Sequence, residues 1–265
     1  MAAPRSSRPL LGVVHLGALP SAMRHESMAK VFDDALRDAE AYAEAGFDGL
    51  VVENFGDAPF HRGTAEDPVP PDVPAAIAVA ADRVQQRTGL PVGINCLRND
   101  GRAALGVAAA VSAAWVRVNV LTGAFVTDQG LVQGDAARLA AYRRQLGCEV
   151  TLLADFFVKH AAPLADCDAE AAARDLAERS GADGLVLSGA RTGEPVDVAW
   201  LDAVRAAVGE FPIWIGSGLT PERAEELWPR CDGAIAGTAC KVGGRSSAPV
   251  ELARAIALRQ ACPRA

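Results

Sequence analysis

The chain has 265 residues, half of them hydrophobic, and carries a formal net charge of −7 at pH 7 with a pI of about 5.2. This length suits one large domain or two small ones, and the diffuse negative charge argues against nucleic acid or an anionic membrane as a partner. No apolar run reaches the roughly 18 residues of a membrane span. Without a secretory apolar region or a C-x-x-C motif, the chain is expected to be cytoplasmic with reduced cysteines, and residues 1–9 to be a flexible tail.

Eight strand-like apolar runs alternate with alanine-rich helical patterns. In chain order the predicted strands are residues 10–16, 48–54, 91–97, 115–121, 149–156, 184–189, 212–218 and 233–238. Continuous Val, Ile and Leu strands separated by helices are typical of a parallel sheet. Eight such units in about 250 residues predict a single-domain α/β fold, a (β/α)8 TIM barrel over residues 10–262. An open doubly wound sheet is the alternative, but no nucleotide-binding glycine fingerprint follows the first strand.

Polar side chains are concentrated at the carboxyl ends of these strands, where such barrels have their active sites. A single Asn or Ser there anchors a loop about as often as it binds a ligand, but polar groups at nearly every strand end exceed what loop anchoring requires. The residues predicted to bind substrate are Asn54, Asn95, Arg117, Asn119, Asp128, Ser188 and Thr192. Loops 54–72 and 122–134 have the length of functional or lid-like loops, and Asp128 belongs to this set because it could fold back onto the site from the second of them. Thr192 belongs to it as the tip of loop 188–195, which is expected to be flexible and to close over a ligand.

Two carboxylates at strand ends are the predicted acid/base pair, because buried carboxylates are rare unless they are paired or functional. They are Asp155 and Glu53. His15 and His160 are candidates to assist proton transfer near neutral pH, and Lys159 is a further candidate for covalent catalysis. Alternation along the strand places Arg117 inside the barrel, where its charge must be paired. We therefore expect an ion pair between Arg117 and one of the two carboxylates.

Glycine turns follow the seventh and eighth predicted strands, the two positions that often form the phosphate site of these barrels. The first turn, "IGSGLTP", runs into a helix that Thr220 and Pro221 are suited to begin. Free backbone N–H groups and the positive end of a helix dipole favour an anion there. The predicted phosphate-binding residues are Gly216, Ser217, Gly218, Gly237, Thr238 and Lys241.

Long segments of the chain resemble the BtpA/SgcQ family. They are "VVHLGALP", "VVENFGDAPF", "LRND", "RVNVLTGAFVTDQG", "DFFVKHAAPL" and "GSGLTPE…GTACKVGG", and the resemblance extends over residues 10–258. It implies a barrel of the ribulose-phosphate-binding type. It also implies a link to photosystem I biogenesis, through a family member implicated in photosystem stability. The family often has "GTSFKVDG" after the last strand, so Ala239 and Gly243 depart from its pattern.

The sequence thus favours an enzyme that acts on a phosphorylated sugar or nucleotide. Isomerisation or epimerisation, lyase chemistry, and hydrolysis or transfer of a glycosidic bond all stay open, since each uses two acid/base groups. The rival from another class is a non-catalytic assembly or stability factor for a larger complex. No cofactor is expected and no zinc-like spacing occurs, although a divalent cation stays open. The expected partner is a small phosphorylated substrate, and a homo-oligomer is compatible with the sequence.

Overall fold

A computed structural model describes residues 8–157, 160–189 and 196–264. Eight parallel strands form a closed barrel: β1 (Leu10–His15), β2 (Gly49–Glu53), β3 (Val92–Asn95), β4 (Trp115–Val118), β7 (Thr151–Phe156), β9 (Gly184–Leu187), β10 (Ile213–Ile215) and β11 (Gly233–Ala236). The remaining strands are β5 (Ala124–Thr127), β6 (Gly130–Gln133) and β8 (Ala161–Pro163). Around the ring the order is β1-β11-β10-β9-β7-β4-β3-β2. The predicted TIM barrel is therefore confirmed, with all eight strands.

Helices follow the barrel strands and cover the outside of the ring. They are α1 (Met28–Glu44), α2 (Asp72–Thr88), α3 (Gly101–Val111), α4 (Ala136–Leu146), α5 (Ala169–Arg179), α6 (Val198–Val208), α7 (Pro221–Leu227) and α8 (Leu252–Ala261). Local sequence sets their ends: the Ser27 hydroxyl accepts from the Lys30 N–H at the start of α1, and Gly89 ends α2 in the left-handed region. None of these described helices combines the length and apolarity of a membrane span.

Two apolar layers stabilise the fold. The inner layer fills the lower barrel with alternate strand residues: Leu11, Val13, Val51, Trp115, Leu153, Val186, Trp214 and Ile235. The outer layer lies between strands and helices, and includes Val116, Val118, Leu152 and Ala154 on the opposite strand faces. Each fully buried Leu, Ile or Val side chain stabilises the fold by about 1.5–3 kcal/mol. Because the lower barrel is filled, the polar strand ends can lie only at the carboxyl mouth.

An extra sheet stands at the mouth, where loops alone were predicted. We call β6, β5 and β8 the mouth sheet; they pair antiparallel in that order. Val126 lies opposite Leu131 on one side and Ala162 on the other. Phe125 packs edge-on against Phe157, with ring centroids 6.2 Å apart. The sheet joins the loops after β4 and β7, which are neighbours in the barrel, so it covers one side of the mouth.

The predicted boundaries needed correction in two places. Predicted strands ran past their true ends, for example 115–121 against Trp115–Val118, because the following polar residues turn into loops. At the chain start, residues 1–7 of the predicted tail lie outside the described part. The carbonyl of Pro9 already accepts a hydrogen bond from the Ala234 N–H at 3.0 Å, so attachment to the barrel begins at residue 9.

Candidate active site

The ends of β1 and β2 bring His15 and Glu53 together. His15 Nδ1 lies 2.9 Å from the carbonyl oxygen of Ser246, which can only accept, so Nδ1 carries a proton. His15 Nε2 lies 3.1 Å from Glu53 Oε1, and this contact also needs one proton. An imidazolium donating to a carboxylate and a carboxylic acid donating to a neutral imidazole both satisfy it. The ring of Phe55 stacks on His15 at 4.3 Å and fixes its plane. The pair is therefore built to hold one movable proton.

Across the mouth, Arg117 and Asp155 form the ion pair expected from the sequence. Arg117 Nε donates to Asp155 Oδ1 at 2.9 Å and Nη2 donates to Oδ2 at 3.1 Å. Burial alone would lower the pKa of Arg117, but the charges of Asp155 and Glu53 raise it above its ordinary value. Arg117 thus stays charged, and its two hydrogen bonds fix the position of the Asp155 carboxylate.

Two asparagines extend this polar layer on the neighbouring strands. Asn95 Nδ2 donates to Glu53 Oε2 at 3.1 Å, and Asn119 Nδ2 donates to Asp155 Oδ2 at 2.7 Å. Each amide thereby supports one of the two carboxylates. The carbonyl oxygens Asn95 Oδ1 and Asn119 Oδ1 are buried and, among the described residues, have no hydrogen-bond partner.

Asn54 does not belong to the substrate-binding set in the way we predicted. Its Oδ1 accepts from the Leu97 N–H at 2.7 Å, and its Nδ2 donates to Asp57 Oδ2 and to the Leu97 carbonyl at 2.9 and 3.2 Å. Both amide hydrogens and one acceptor position of this buried side chain are thus used inside the protein. Asn54 therefore anchors the loop after β3 to the loop after β2.

Ser188 and Gly216 lie where Arg117 reaches across the barrel. A Cβ atom added to Gly216 would stand 2.7 Å from Ser188 Oγ, 3.2 Å from Arg117 Nη2 and in severe contact with Val186. Only a residue without a side chain leaves room for all three groups. Ser188 Oγ is buried and lacks a partner among the described residues.

The glycine turns after β10 and β11 form the opposite wall of a cavity of about 510 Å³. His15, Glu53 and Arg117 line one side of it, and residues 216–222 and 237–239 line the other. Within the described chain, the backbone N–H groups of Gly218, Thr238 and Ala239 make no hydrogen bond. Thr238 and Ala239 belong to the first turn of a short 3-10 helix, whose leading N–H groups have no partner inside the helix. This wall presents donors and partial positive charge to an anion.

Lys241 is not part of this wall, which corrects the prediction. Lys241 is a buried residue, 1 % exposed. Its ammonium pairs with Asp38 Oδ2 of α1 at 3.1 Å. The cation that does line the cavity is Arg254 of α8, whose side chain is 45 % exposed and also pairs with Glu251. Sequence reasoning missed Arg254, because its position on a helix gave no sign that the first turn of α8 faces the cavity.

Residues 6–263 match the BtpA family. The chain belongs to the BtpA family. Photosystem I biogenesis protein BtpA of Synechocystis sp. is 40 % identical over 258 residues, which cover 97 % of this chain and 88 % of that protein. A protein of Thermococcus kodakarensis is 44 % identical over 249 residues, covering 94 % and 92 %. These likenesses extend over nearly the whole barrel.

Solved structures show the same fold at low sequence identity. The thiamine phosphate pyrophosphorylase of Pyrococcus furiosus is 13 % identical, with a TM-score of 0.58 and coverage of 97 % of this chain and 96 % of that one. The N-(5'-phosphoribosyl)anthranilate isomerase of the same organism is 12 % identical, with a TM-score of 0.56 and coverage of 96 % and 98 %. The BtpA-family chain therefore has the barrel of these enzymes, and at this identity the likeness concerns fold alone.

Arg98 is a second cation of the mouth that sequence reasoning missed in this BtpA-family chain. It follows β3 and is partly buried. Burial lowers the pKa of Arg98 below its ordinary value, and the positive charge of Arg117 lowers it further. The negative charges of Asp155 and Asp128 raise it, but by less than burial lowers it. These effects place Arg98 among the charged groups of the mouth. The charge of the exposed Asp128, at the tip of the mouth sheet, acts on Arg98, and its predicted role in substrate binding stays a prediction.

Two further predicted residues, His160 and Ser217, lie in the described part of the chain. His160 is exposed and directly precedes β8 of the mouth sheet, and its predicted assistance in proton transfer stays a prediction. Ser217 Oγ accepts from the Gly189 N–H at 3.3 Å and lines the cavity. Lys159 and Thr192 lie outside the described residues.

Two further observations bear on the choice of site. Across residues 8–157, 160–189 and 196–264, no three His, Cys, Asp or Glu side chains converge as a metal centre requires. A larger groove of about 1060 Å³ runs outside the barrel along α3 and α4. Its lining contains neither Glu53 nor Asp155, whereas Glu53 lines the smaller cavity, which is therefore the candidate site.

Proposed function

We propose that this BtpA-family protein is an enzyme that binds a phosphorylated sugar or nucleotide in the barrel mouth and transfers a proton to or from it. The observation that carries the proposal is the His15–Glu53 contact, which needs one proton that either residue can hold. Both residues line the cavity, within reach of a bound molecule. Proton transfer by a positioned side chain contributes typically 10²–10⁴-fold to a rate.

The phosphate would lie against the turns after β10 and β11. Gly218, Thr238 and Ala239 would donate backbone N–H groups, and Arg254 would add the charge that we had assigned to Lys241. The Thr238 hydroxyl is 2.9 Å from Ser246 Oγ, which holds it at the edge of the cavity. Such an arrangement binds the dianion without burying an unpaired lysine.

Asp155 would act differently from Glu53. Arg117 and Asn119 donate three hydrogen bonds to Asp155, so its carboxylate would be held in one position, where it would stabilise positive charge on the substrate. Proton transfer beside a fixed anion serves isomerisation or epimerisation, elimination, and glycosidic cleavage or transfer through an oxocarbenium-like state. The proposal is acid–base chemistry of this group, and the fold leaves the choice among them to the substrate.

A thermal-shift panel of inorganic phosphate, sugar phosphates and nucleotides tests the proposal. A ligand at 100 times its Kd should stabilise the native state by about 2.7 kcal/mol. No stabilisation by phosphate or by any phosphorylated compound would reject it. Turnover of the best ligand after dialysis against EDTA then checks the expectation that no metal cofactor is needed.

Arg254 and Lys241 provide a matched pair of variants for the phosphate site. Arg254→Gln should weaken phosphate binding roughly two- to fivefold, as expected for a half-exposed charge, with little change in stability. Lys241→Met should leave phosphate binding unchanged but lower the free energy of unfolding by about 3 kcal/mol, because Asp38 loses its buried partner. The reverse pattern would return Lys241 to the phosphate site.

An assembly factor for a larger complex is the second candidate. Its supporting observation is the apolar outer face of the mouth sheet and its connection, where Val126, Leu131 and Leu164 are 49 %, 38 % and 57 % exposed. This role requires no polar cavity. Variants of His15 and Glu53 would therefore leave assembly intact, whereas Val126→Asp would abolish it.

A further inference from the structure

Ser246, in the loop between β11 and α8, contacts both parts of the proposed site. Its carbonyl oxygen accepts a hydrogen bond from His15 Nδ1 at 2.9 Å, and its Oγ lies 2.9 Å from Thr238 Oγ1. His15 belongs to the pair that holds the movable proton, Thr238 belongs to the wall that would hold the phosphate, and both line the cavity. Ser246 is half-buried and is not part of the cavity lining. It can therefore act on a bound molecule only through these two neighbours.

The loop that carries Ser246 is anchored at its base. Lys241 and Val250 form an antiparallel bridge, and the Val250 N–H donates to Oδ1 of the buried Asp38 at 3.1 Å. Residues 242–245, which follow the first anchor, are exposed. Because the base is held by backbone pairing and these residues lie in solvent, the two hydrogen bonds of Ser246 connect the far end of the loop to the barrel mouth.

A phosphate at the wall would set the direction of the Thr238–Ser246 hydrogen bond. With no anion bound, either hydroxyl can be the donor. A hydroxyl has one proton to donate and two lone pairs that accept. A phosphate dianion only accepts, so a Thr238 hydroxyl that binds it must give its proton to the phosphate. Thr238 Oγ1 can then only accept from Ser246, and the bond between the two side chains has one arrangement instead of two.

The carbonyl group of Ser246 sets the position of the His15 proton. Because this oxygen can only accept, the hydrogen bond keeps a proton on Nδ1 and leaves Nε2 for Glu53, 3.1 Å away. The His15 ring also lies against the wall itself, since a Cβ atom added to Gly237 would stand 3.4 Å from His15 Cε1. A shift of the Ser246 carbonyl would therefore weaken the contact that orients a ring packed beside the phosphate site.

We infer that Ser246 is a positioning residue that couples phosphate binding to the orientation of His15. The inference rests on the proposed function, in which the wall binds phosphate and the His15–Glu53 pair transfers a proton. A phosphate bound by Thr238 would hold the Ser246 side chain, and the Ser246 carbonyl would hold the Nδ1 proton, so that Nε2 faces Glu53. The phosphate would then promote proton transfer as well as anchor the substrate, as binding energy from a non-reacting group does when it orients a catalytic group.

The exchange of the His15 Nδ1 proton with solvent tests the coupling, with inorganic phosphate as the probe. Nitrogen-resolved NMR at low temperature measures the exchange rate with and without saturating phosphate. In wild type, phosphate should slow the exchange roughly two- to tenfold, the range expected when one neutral hydrogen bond is strengthened. Phosphate that binds without slowing the exchange would overturn the inference alone. Phosphate that does not bind would reject the proposed function, and the inference with it.

Two variants break the link between the hydroxyl groups. Ser246→Ala keeps the carbonyl; it should bind inorganic phosphate about two- to fivefold more weakly, and saturating phosphate should no longer slow the exchange. Thr238→Val should abolish the response in the same way. Adding Ser246→Ala to Thr238→Val should have no further effect, because the two variants remove one and the same hydrogen bond. Ser247→Ala, at the exposed neighbouring position, is the matched control and should respond to phosphate as wild type does.

The variants also separate this coupling from a direct effect of the phosphate charge. A response of wild-type size in Ser246→Ala would show that the charge acts on His15 without Ser246, and would overturn the inference. Additive effects of Ser246→Ala and Thr238→Val, or an equal loss of response in Ser247→Ala, would overturn it as well. All of these rates are measured on folded protein, which the dispersion of the remaining resonances verifies.

Discussion

The two carboxylates of the mouth are equally buried but have opposite kinds of partner. Glu53 and Asp155 are each 6 % exposed, and each accepts a hydrogen bond from an asparagine amide. Glu53 faces His15, which can give or take a proton near neutral pH, whereas Asp155 faces Arg117, which cannot. Burial alone therefore does not assign a carboxylate its role. The two partners differ in whether they can exchange a proton, and on this difference we propose Glu53 as the proton-transferring group and Asp155 as the carboxylate that Arg117 holds in place.

Replacing Asp155 should have the largest effect, because it removes the fixed charge. Asp155→Asn leaves the Arg117 guanidinium buried without a counter-ion, so the free energy of unfolding should fall by about 3–5 kcal/mol and turnover should fall with it. Urea denaturation measures the first quantity.

A double variant isolates the cause of that loss. Adding Arg117→Met to Asp155→Asn removes the unpaired charge and should recover part of the stability without recovering turnover. If Asp155→Asn is as stable as wild type, the Arg117–Asp155 ion pair does not contribute to the free energy of unfolding.

Replacing Glu53 should separate proton transfer from stability. In Glu53→Gln the amide can donate to neutral His15 Nε2, so the melting temperature should change little, while turnover of the ligand identified by thermal shift should fall about 10²–10⁴-fold. Nitrogen NMR should show the proton of His15 on Nδ1, opposite the Ser246 carbonyl. Glu40→Gln on the surface is the control. Near-normal turnover in Glu53→Gln would move the chemistry elsewhere in the mouth.

Gly216→Ala should disturb the surroundings of Arg117 and leave the His15–Glu53 pair unchanged. The added methyl group would collide with Val186 and displace Ser188 and Arg117, lowering the free energy of unfolding by about 1–3 kcal/mol. Gly106→Ala in α3 is the matched control: its new Cβ would have Tyr142 Oη as the nearest atom, at 3.5 Å, and the helix should gain about 0.5–1 kcal/mol. If Gly216→Ala and Gly106→Ala change the free energy of unfolding equally, small movements of the neighbouring side chains relieve the crowding at Gly216.

Asp67 has a histidine and an arginine as partners, like the two buried carboxylates together, but it lies in a solvated loop. Its replacement should therefore change the free energy of unfolding least. Hydrogen bonds from the Arg62 N–H and from His61 lower the pKa of Asp67 from 3.8 to about 2. Because the folded pKa is the lower one, the stabilisation exists above pH 3.8 and is lost as the pH falls through about 2. The difference in unfolding free energy between wild type and Asp67→Asn should therefore stay under about 1 kcal/mol and vanish over that range, since the side chain is 33 % exposed. A difference that grows on acidification would contradict this.

The sequence predicted the barrel because strand and helix periodicities repeat eight times and act locally. It missed the mouth sheet because β8 has only three residues and pairs with β5, more than 30 positions earlier in the chain. A three-residue run carries no alternation that distinguishes a strand from a loop.

At the site, residue type and strand position were enough to find Glu53, Asp155 and the Arg117 pair. They could not distinguish Asn54 from Asn95, since both are asparagines at strand ends and only their neighbours separate an anchor from an open acceptor. Lys241 was placed wrongly for the same reason. Its partner, Asp38, lies 203 positions away, and no local pattern shows it.

The Ser246 carbonyl that orients His15 lies 231 positions along the chain from it. The two meet only when β1 pairs with β11, which is the contact that closes the ring. Contacts of such separation form against the full entropy of loop closure and tend to come late in folding. We therefore expect the hydrogen bond that fixes the His15 tautomer to form late in ring assembly, so a partly folded barrel with an open seam would hold both members of the proton pair without the contact that orients them.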